Sequence, residues 1–216
     1  YQSIVGALLY AAMLTRPDIA YAVGYLCRAM SRPTPELYTD ALRVLMYLDK
    51  HESVGLRYCA SSTDMHGMTD SDWAVKHSTS GWTFQYMSAA ISWGSKKQPV
   101  VALSSCEAEI VAASDAAKEA AYLTNDILGE LGLGASSPIT LSVDNTAARN
   151  LAYNPEHHER SKHIDRRHFY VRELVEEGRI VVPFVKSADN IADFFTKPLV
   201  CSVFTSFRDR VMGYTT

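Results

Sequence analysis

Cysteine is scarce in this chain and scattered. The four residues Cys27, Cys59, Cys106 and Cys201 form no CxxC pair. They read as free thiols of a reducing compartment, not as a disulfide framework. An excess of basic charge is also missing. The net charge of −3 excludes a strong, nonspecific polyanion binder, while leaving room for a local basic face. Long hydrophobic runs are absent too. The most apolar stretch, Ile4 to Leu14, is shorter than the roughly 20 residues that span a bilayer. It also lacks the basic flank of a signal peptide. It reads as a buried core helix. Internal repeats and low-complexity tracts are lacking. What remains is ordinary for a soluble globular protein: 216 residues, 47% hydrophobic and 21% charged, enough for one or two domains with a real core. The chain begins with Tyr1 rather than Met and reads as cut from something longer.

Residues 1 to about 52 carry helical patterning. Tyr1–Thr15 is a first helix, and Pro17 suits the first turn of a second that runs through Ala20, Val23, Leu26 and Met30. Thr34 as N-cap and Pro35 at the first helical position start a third, with Leu42, Leu45, Met46 and Leu48 on its apolar side. Val54–Cys59 reads as a short strand and Ala60–Met65 as a polar linker. Then the texture changes. Met68–Ala74, Gly81–Met87 and Ala90–Ser95 are aromatic-rich strand candidates separated by turn residues, which suggests an antiparallel meander. A long helix from Ser104 to about Leu133 ends at Gly132 and Gly134. Ile139–Val143 is a buried strand. Asn145–Tyr153 and Ser161–Glu177 are helices, Arg179–Lys186 a strand, and Ala188–Lys197 a helix stopped by Pro198. The order predicts an α/β (α+β) fold, a mixed sheet covered by helices.

Four acidic positions stand out as ligands for a pair of metal ions: Asp70, Glu109, Asp144 and Asp193. One lies on a strand, one in the first turns of the long helix, one at a strand end and one at the start of the last helix. Hard cations take oxygen ligands, and a two-metal site needs carboxylates on rigid elements holding the ions roughly 3.5–4 Å apart. Asp70 and Asp72 alternate onto one face of their strand, and the pattern alone does not choose between them. Ser104-x-x-Glu107 is a capping box, in which Glu107 reaches back to the Ser104 N–H. Glu109 lies about 200° around the helix from Glu107 and is assigned to metal. Asn145 can cap the helix after Asp144, freeing the aspartate. Asp193 sits beside Phe194 and Phe195, where an acid is costly to bury without metal or donors. Asp189 reads as the cap of that helix.

These motifs, in this order, closely resemble the ribonuclease H domain of copia-type LTR retrotransposon polyproteins. The resemblance lies in Thr69-Asp70-Ser71-Asp72-Trp73-Ala74, Ser80-Gly81, Trp93, Lys96-Lys97-Gln98, Leu103 to Glu109, Val143-Asp144-Asn145, Lys162-His163-Ile164-Asp165, Ala192-Asp193 and Thr196-Lys197-Pro198-Leu199. Gly6 to Tyr10, Thr15 to Ile19 and Arg43 to Leu48 resemble the end of the same polyprotein's reverse transcriptase and its connection to the nuclease. The resemblance covers nearly the whole chain. It implies a ribonuclease H-like fold with helices on both sides of a five-stranded sheet, preceded by a small helical connection. It divides the chain into a connection (1–60), a ribonuclease H-like domain (61–200) and a C-terminal tail (201–216). It selects Asp70 over Asp72.

The implied activity is endonucleolytic hydrolysis of the RNA strand of RNA–DNA hybrids by two Mg²⁺ ions, with Mn²⁺ as an alternative. Asp70, Glu109, Asp144 and Asp193 are the implied ligands. The implied partners are the hybrid and the upstream reverse transcriptase of the same polyprotein, with no membrane. The implied location is the cytoplasm, within a virus-like particle, or the nucleus. The alternative is an inactive transposon remnant that only binds nucleic acid or connects; an integrase or resolvase of the same broad fold fits the acid order less well.

The stretch His157-His158-Glu159-Arg160-Ser161-Lys162-His163 matches no ordinary tetrahedral zinc spacing. With Arg166, Arg167 and Arg172 it reads as a basic face. Lys96, Lys97, Arg160, Lys162, His163, Arg166 and Arg167 are therefore the candidates for nucleic-acid contact. Many ribonucleases H carry a histidine in the loop before the last helix. Here that loop, Lys186-Ser187-Ala188-Asp189-Asn190, has none, and His163 and His168 are the substitutes to consider.

Overall fold

The computed structural model describes residues 1–60, 64–74, 77–132, 138–153 and 162–214. Helices α1 (Gln2–Leu14), α2 (Ala20–Cys27) and α3 (Pro35–Lys50) come first. Strands β1 (His66–Asp72), β2 (Thr79–Tyr86) and β3 (Ala89–Lys97) follow, then helix α4 (Ser105–Tyr122), which continues as a π-helical turn over Leu123–Leu128. Strand β4 (Ile139–Ser142), helices α5 (Thr146–Tyr153) and α6 (Lys162–Glu176), strand β5 (Ile180–Val181) and helix α7 (Cys201–Met212) complete the order. The five strands form one sheet in the order β3-β2-β1-β4-β5. The β1–β2–β3 meander is antiparallel, while β4 pairs parallel with both β1 and β5.

Each face of the sheet has its own core. On one, the alanines of α4 (Ala113, Ala116, Ala117, Ala120) bring the helix down onto Phe84, Ile139, Leu141 and Val143, with Val171 and Leu174 of α6 alongside. On the other, Phe194, Phe195 and Ile191 pack with Phe207 and Val211 of α7, Ala20 of α2 and Ala90. Residues 201–216, read from sequence only as a tail, thus contain a helix with a buried face.

The N-terminal helices are tied to the sheet by specific bonds. Trp93 Nε1 donates to the Ala12 carbonyl at 2.7 Å, and Arg28 Nη2 donates to Thr79 Oγ1 at 3.0 Å. Arg16 grips Asp18 through two bonds of 2.9 and 2.8 Å, and the Tyr47 hydroxyl donates to the same carboxylate at 2.8 Å. Burial and the Asp18 carboxylate push the Tyr47 hydroxyl up to about 12, so it remains a donor. No described helix is long and apolar enough to cross a membrane.

Several elements differ from the sequence reading. The run Ile4 to Leu14, read as a buried core helix, buries only Val5, Leu8 and Ala12 and leaves Tyr10, Met13 and Leu14 exposed. Helix α3 turns Ala41 inward and leaves Leu42, Leu45 and Met46, read as its apolar side, exposed. Val54–Cys59 is not a strand; its N–H groups at Arg57 and Cys59 bond singly to the carbonyls of Met212 and Met87. The segment from Arg179 to Lys186 pairs as a strand only over Ile180–Val181, with an isolated bridge from Phe184 to Val143. Pro183, which has no N–H to give a ladder, stands between them. Ala188–Lys197 is not one helix but two 3₁₀ turns, Ser187–Asp189 and Ile191–Phe195. Asn190 lies between them in an extended conformation, fully buried. Its Nδ2 donates to the Thr69 carbonyl, and its Oδ1 accepts from the Ala192 N–H. Asn190 is therefore the cap, where the sequence pointed to the exposed Asp189.

Candidate active site

Asp70 stands on β1, the central strand, 3% exposed. The Thr196 hydroxyl donates to its Oδ2 at 2.6 Å. Across the β1–β2 ladder from Asp70 is Gly81. A side chain on Gly81 would run into Thr196, the Ala192 carbonyl and Phe195 at 2.6–2.9 Å, so only glycine lets the turn bearing Asp193 lie this close to the sheet. Asp144 follows β4, half-buried, and Asn145 Oδ1 caps α5 by accepting from Ala147 and Ala148. The cap is thus Asn145 and not Asp144. Ligand oxygens of Asp70, Asp144 and Asp193 all lie within 4.8 Å of one another.

Glu109 approaches from α4. Ser104 Oγ caps that helix by accepting from the Glu107 N–H at 3.1 Å. The Glu107 carboxylate reaches the Leu103 N–H at 2.6 Å, one residue before the N–H the capping box predicts. Glu109 Oε1 accepts from the Ser71 N–H at 3.3 Å, which anchors it beside Asp70. It lies outside the three-aspartate group. Among the described residues, its Oε2, like Asp193 Oδ1, is buried without a hydrogen-bond partner. Asp193 Oδ2 is held by Lys197 Nζ at 2.9 Å.

The electrostatics follow from this crowding. Burial, and then the charge of Asp193, raise Asp70 to about 7; the Thr196 hydroxyl opposes the rise. Burial, and then Asp70 and Asp144, raise Glu109 to about 8. Lys197 loses from burial but gains more from Asp193, Asp70 and Asp144, so its charged form is favoured. Partnerless, buried carboxylate oxygens converging with one ammonium among them are a donor set suited to a hard divalent cation.

This predicts an unusual pH dependence. Around neutral pH the folded, metal-free protein keeps protons on Asp70 and Glu109 that the unfolded chain, at ordinary values of 3.8 and 4.5, has released. Stability from these two groups is then greatest below about pH 4, falls as pH rises from there, and levels off above 7 to 8, a loss of several kcal/mol. His66, lowered by burial, works in the opposite sense. Melting temperatures in a chelator between pH 5 and 8.5 should show the decline, and Glu109→Gln should flatten it. A slope equal in wild type and variant would contradict the buried-acid account.

Of the basic candidates, Lys96 and Lys97 are exposed at the end of β3, opposite Ser80 and Thr79. Those two residues pair in turn with Ser71 and Asp72, so the lysines lie two strands from the acids. Arg167 is half-buried on α6. Arg160 lies outside the described residues, as do the side chains of Lys162, His163, Arg166 and His168. Sequence reasoning quoted Thr196 and Lys197 as a motif but gave them no role, and it missed Asn190. The signal was present: a hydroxyl and an ammonium three and four positions after an acid.

No family model matches the chain. The Pol polyprotein of transposon TNT 1-94 from Nicotiana tabacum is 38% identical over 201 residues, 91% of this chain. That of transposon RE1 from Arabidopsis thaliana is 36% identical over 216 residues, 98% of the chain. The chain belongs to the copia-type retrotransposon Pol polyproteins. It spans 15% of the length of each of those two relatives. Among solved structures, the foamy viral protease–reverse transcriptase in complex with RNA/DNA hybrid matches 92% of this Pol chain and 26% of its own, with TM-score 0.54 and 16% identity. The Pol segment has the mixed five-stranded sheet with helices on both faces that the motifs implied.

Proposed function

We propose that this Pol segment hydrolyses the RNA strand of RNA–DNA hybrids, with Asp70, Glu109, Asp144 and Asp193 holding two divalent cations, Mg²⁺ or Mn²⁺. The observation that carries the reading is the meeting of three aspartates within 4.8 Å, joined by Glu109 with a buried, partnerless oxygen. When bound, the ion pair would supply Lewis acidity, lowering the pKa of water and stabilising charge on the leaving oxygen. The protein's own part is to present the ligands ready-made. Ser71 N–H orients Glu109, Thr196 orients Asp70, and the tight turn over Gly81 sets Asp193.

Lys96, Lys97, Arg160, Lys162, His163, Arg166 and Arg167 would bind phosphates, which position a duplex without reading its sequence. The choice of RNA would rest on 2′-hydroxyl contacts in the minor groove. The resemblance supports residues 1–60 as connection and 61–200 as nuclease, with the upstream reverse transcriptase as partner. Exposed Tyr10, Met13 and Leu14 on α1 and Met46 on α3 offer that partner an apolar surface.

Labelled RNA–DNA hybrid, duplex DNA and duplex RNA, each incubated with the protein and Mg²⁺, test the reading. Cleavage of the hybrid's RNA strand alone is expected, and it should cease in chelator. Metal-independent cutting would refute the site, and hybrid binding without cutting would favour the inactive remnant.

A further inference from the structure

The acidic cluster carries a cation of its own. Lys197 Nζ sits 2.9 Å from Asp193 Oδ2. Among the described residues it is the one cation ion-paired with any of the four acids. The lysine side chain is 40% exposed and that of Asp193 12%, so the ion pair sits where the cluster meets solvent. Thr196, its neighbour, is fully buried with its hydroxyl on Asp70. Two adjacent side chains thus address two of the three clustered aspartates, one from inside the core and one from the partly exposed rim.

Resting on the metal site proposed above, we infer that Lys197 is a built-in counter-ion that a divalent cation must displace from Asp193, and that it thereby sets the affinity of the site for metal. A lysine suits this work because its charge is a point on a flexible four-carbon stem. The ammonium can leave Asp193 with no movement of the backbone. A carboxylate that shares an oxygen with a divalent ion attracts the ammonium less, and the two cations repel each other. Lys197 is then a positioning residue, acting through Asp193.

The test is Mn²⁺ binding to the full chain without nucleic acid, followed by the electron paramagnetic resonance of the free ion. Wild type, Lys197→Met, Lys197→Arg and Asp70→Asn are compared. Lys197→Met is expected to bind Mn²⁺ about tenfold more tightly, since a unit charge a few ångströms from the ion is removed. Lys197→Arg, which keeps the charge, is expected to stay near wild type. The same Met variant should melt lower than wild type in chelator and match it in saturating Mg²⁺; a merely structural lysine would lower both. Where the Met variant does not fold, Lys197→Gln removes the same charge and is read the same way. Unchanged or weaker Mn²⁺ binding on loss of the lysine charge, with binding still abolished by Asp70→Asn, would overturn the counter-ion role alone. Binding that survives Asp70→Asn would overturn the metal site, and the counter-ion with it.

Discussion

Asp70→Asn is expected to lower metal-dependent cleavage of an RNA–DNA hybrid by on the order of 10³-fold, about 4 kcal/mol of transition-state stabilisation. The substitution changes charge and hardly changes shape. Thr196 Oγ1, which now donates to Asp70 Oδ2 at 2.6 Å, can donate to the amide oxygen instead, so the turn after Asn190 keeps its anchor. Asp70 is buried beside Asp193 and Asp144, and those charges help to raise it to about 7. Removing its charge therefore relieves repulsion, and the variant should melt above wild type at pH 8 in chelator. Activity and stability move in opposite directions, which a misfolded variant cannot imitate. Steady-state cleavage and thermal melts on the same preparation decide it. Cleavage within tenfold of wild type would remove Asp70 from the site.

Asp18→Ala carries the largest expected effect on stability. The Asp18 side chain is wholly buried and that of Arg16 11% exposed. The carboxylate accepts from the Arg16 guanidinium and from the Tyr47 hydroxyl. Alanine leaves a guanidinium without its counter-charge and a buried hydroxyl without its acceptor. Breaking such a buried pair from one side costs about 3–5 kcal/mol, roughly 10 °C in Tm for a chain of this size. The loss should spread beyond the helices. Tyr47 stacks edge-on with Phe204 of α7 at 5.9 Å, and Phe204 packs on Phe194, next to Asp193, at 5.0 Å. A single, lowered melting transition is expected by circular dichroism. A change under about 1 kcal/mol would show that the pair adds little beyond what its desolvation costs.

Much of this was legible in the residues. The alternation of Ile139, Leu141 and Val143 and the apolar run Ile110 to Ala113 after Glu109 point to a strand and to a helix that packs on the sheet. Asn145 after Asp144 announced a cap that spares the aspartate, and it is there. Glycine marked the end of α6, where Gly178 has φ +68°. The misses have different causes. Pro183, visible in the sequence, ends the pairing just after Val181 because it has no N–H for the ladder, whereas Asn190 divides the last expected helix because its side chain is committed to the Thr69 carbonyl. Local propensity cannot foresee a side chain engaged by a backbone 121 positions away.

The order of the motifs determined which acids to examine and the mixed sheet, and their resemblance pointed to the family. Only the tertiary structure decided that Asp70, Asp144 and Asp193 share one space while Glu109 stands just beside it, and that Thr196 and Lys197 belong to the same cluster. The reason is physical. Periodicity is set by neighbours along the chain, whereas convergence is set by strand register, by the bare α-carbon of Gly81 and by the burial that leaves carboxylates short of partners.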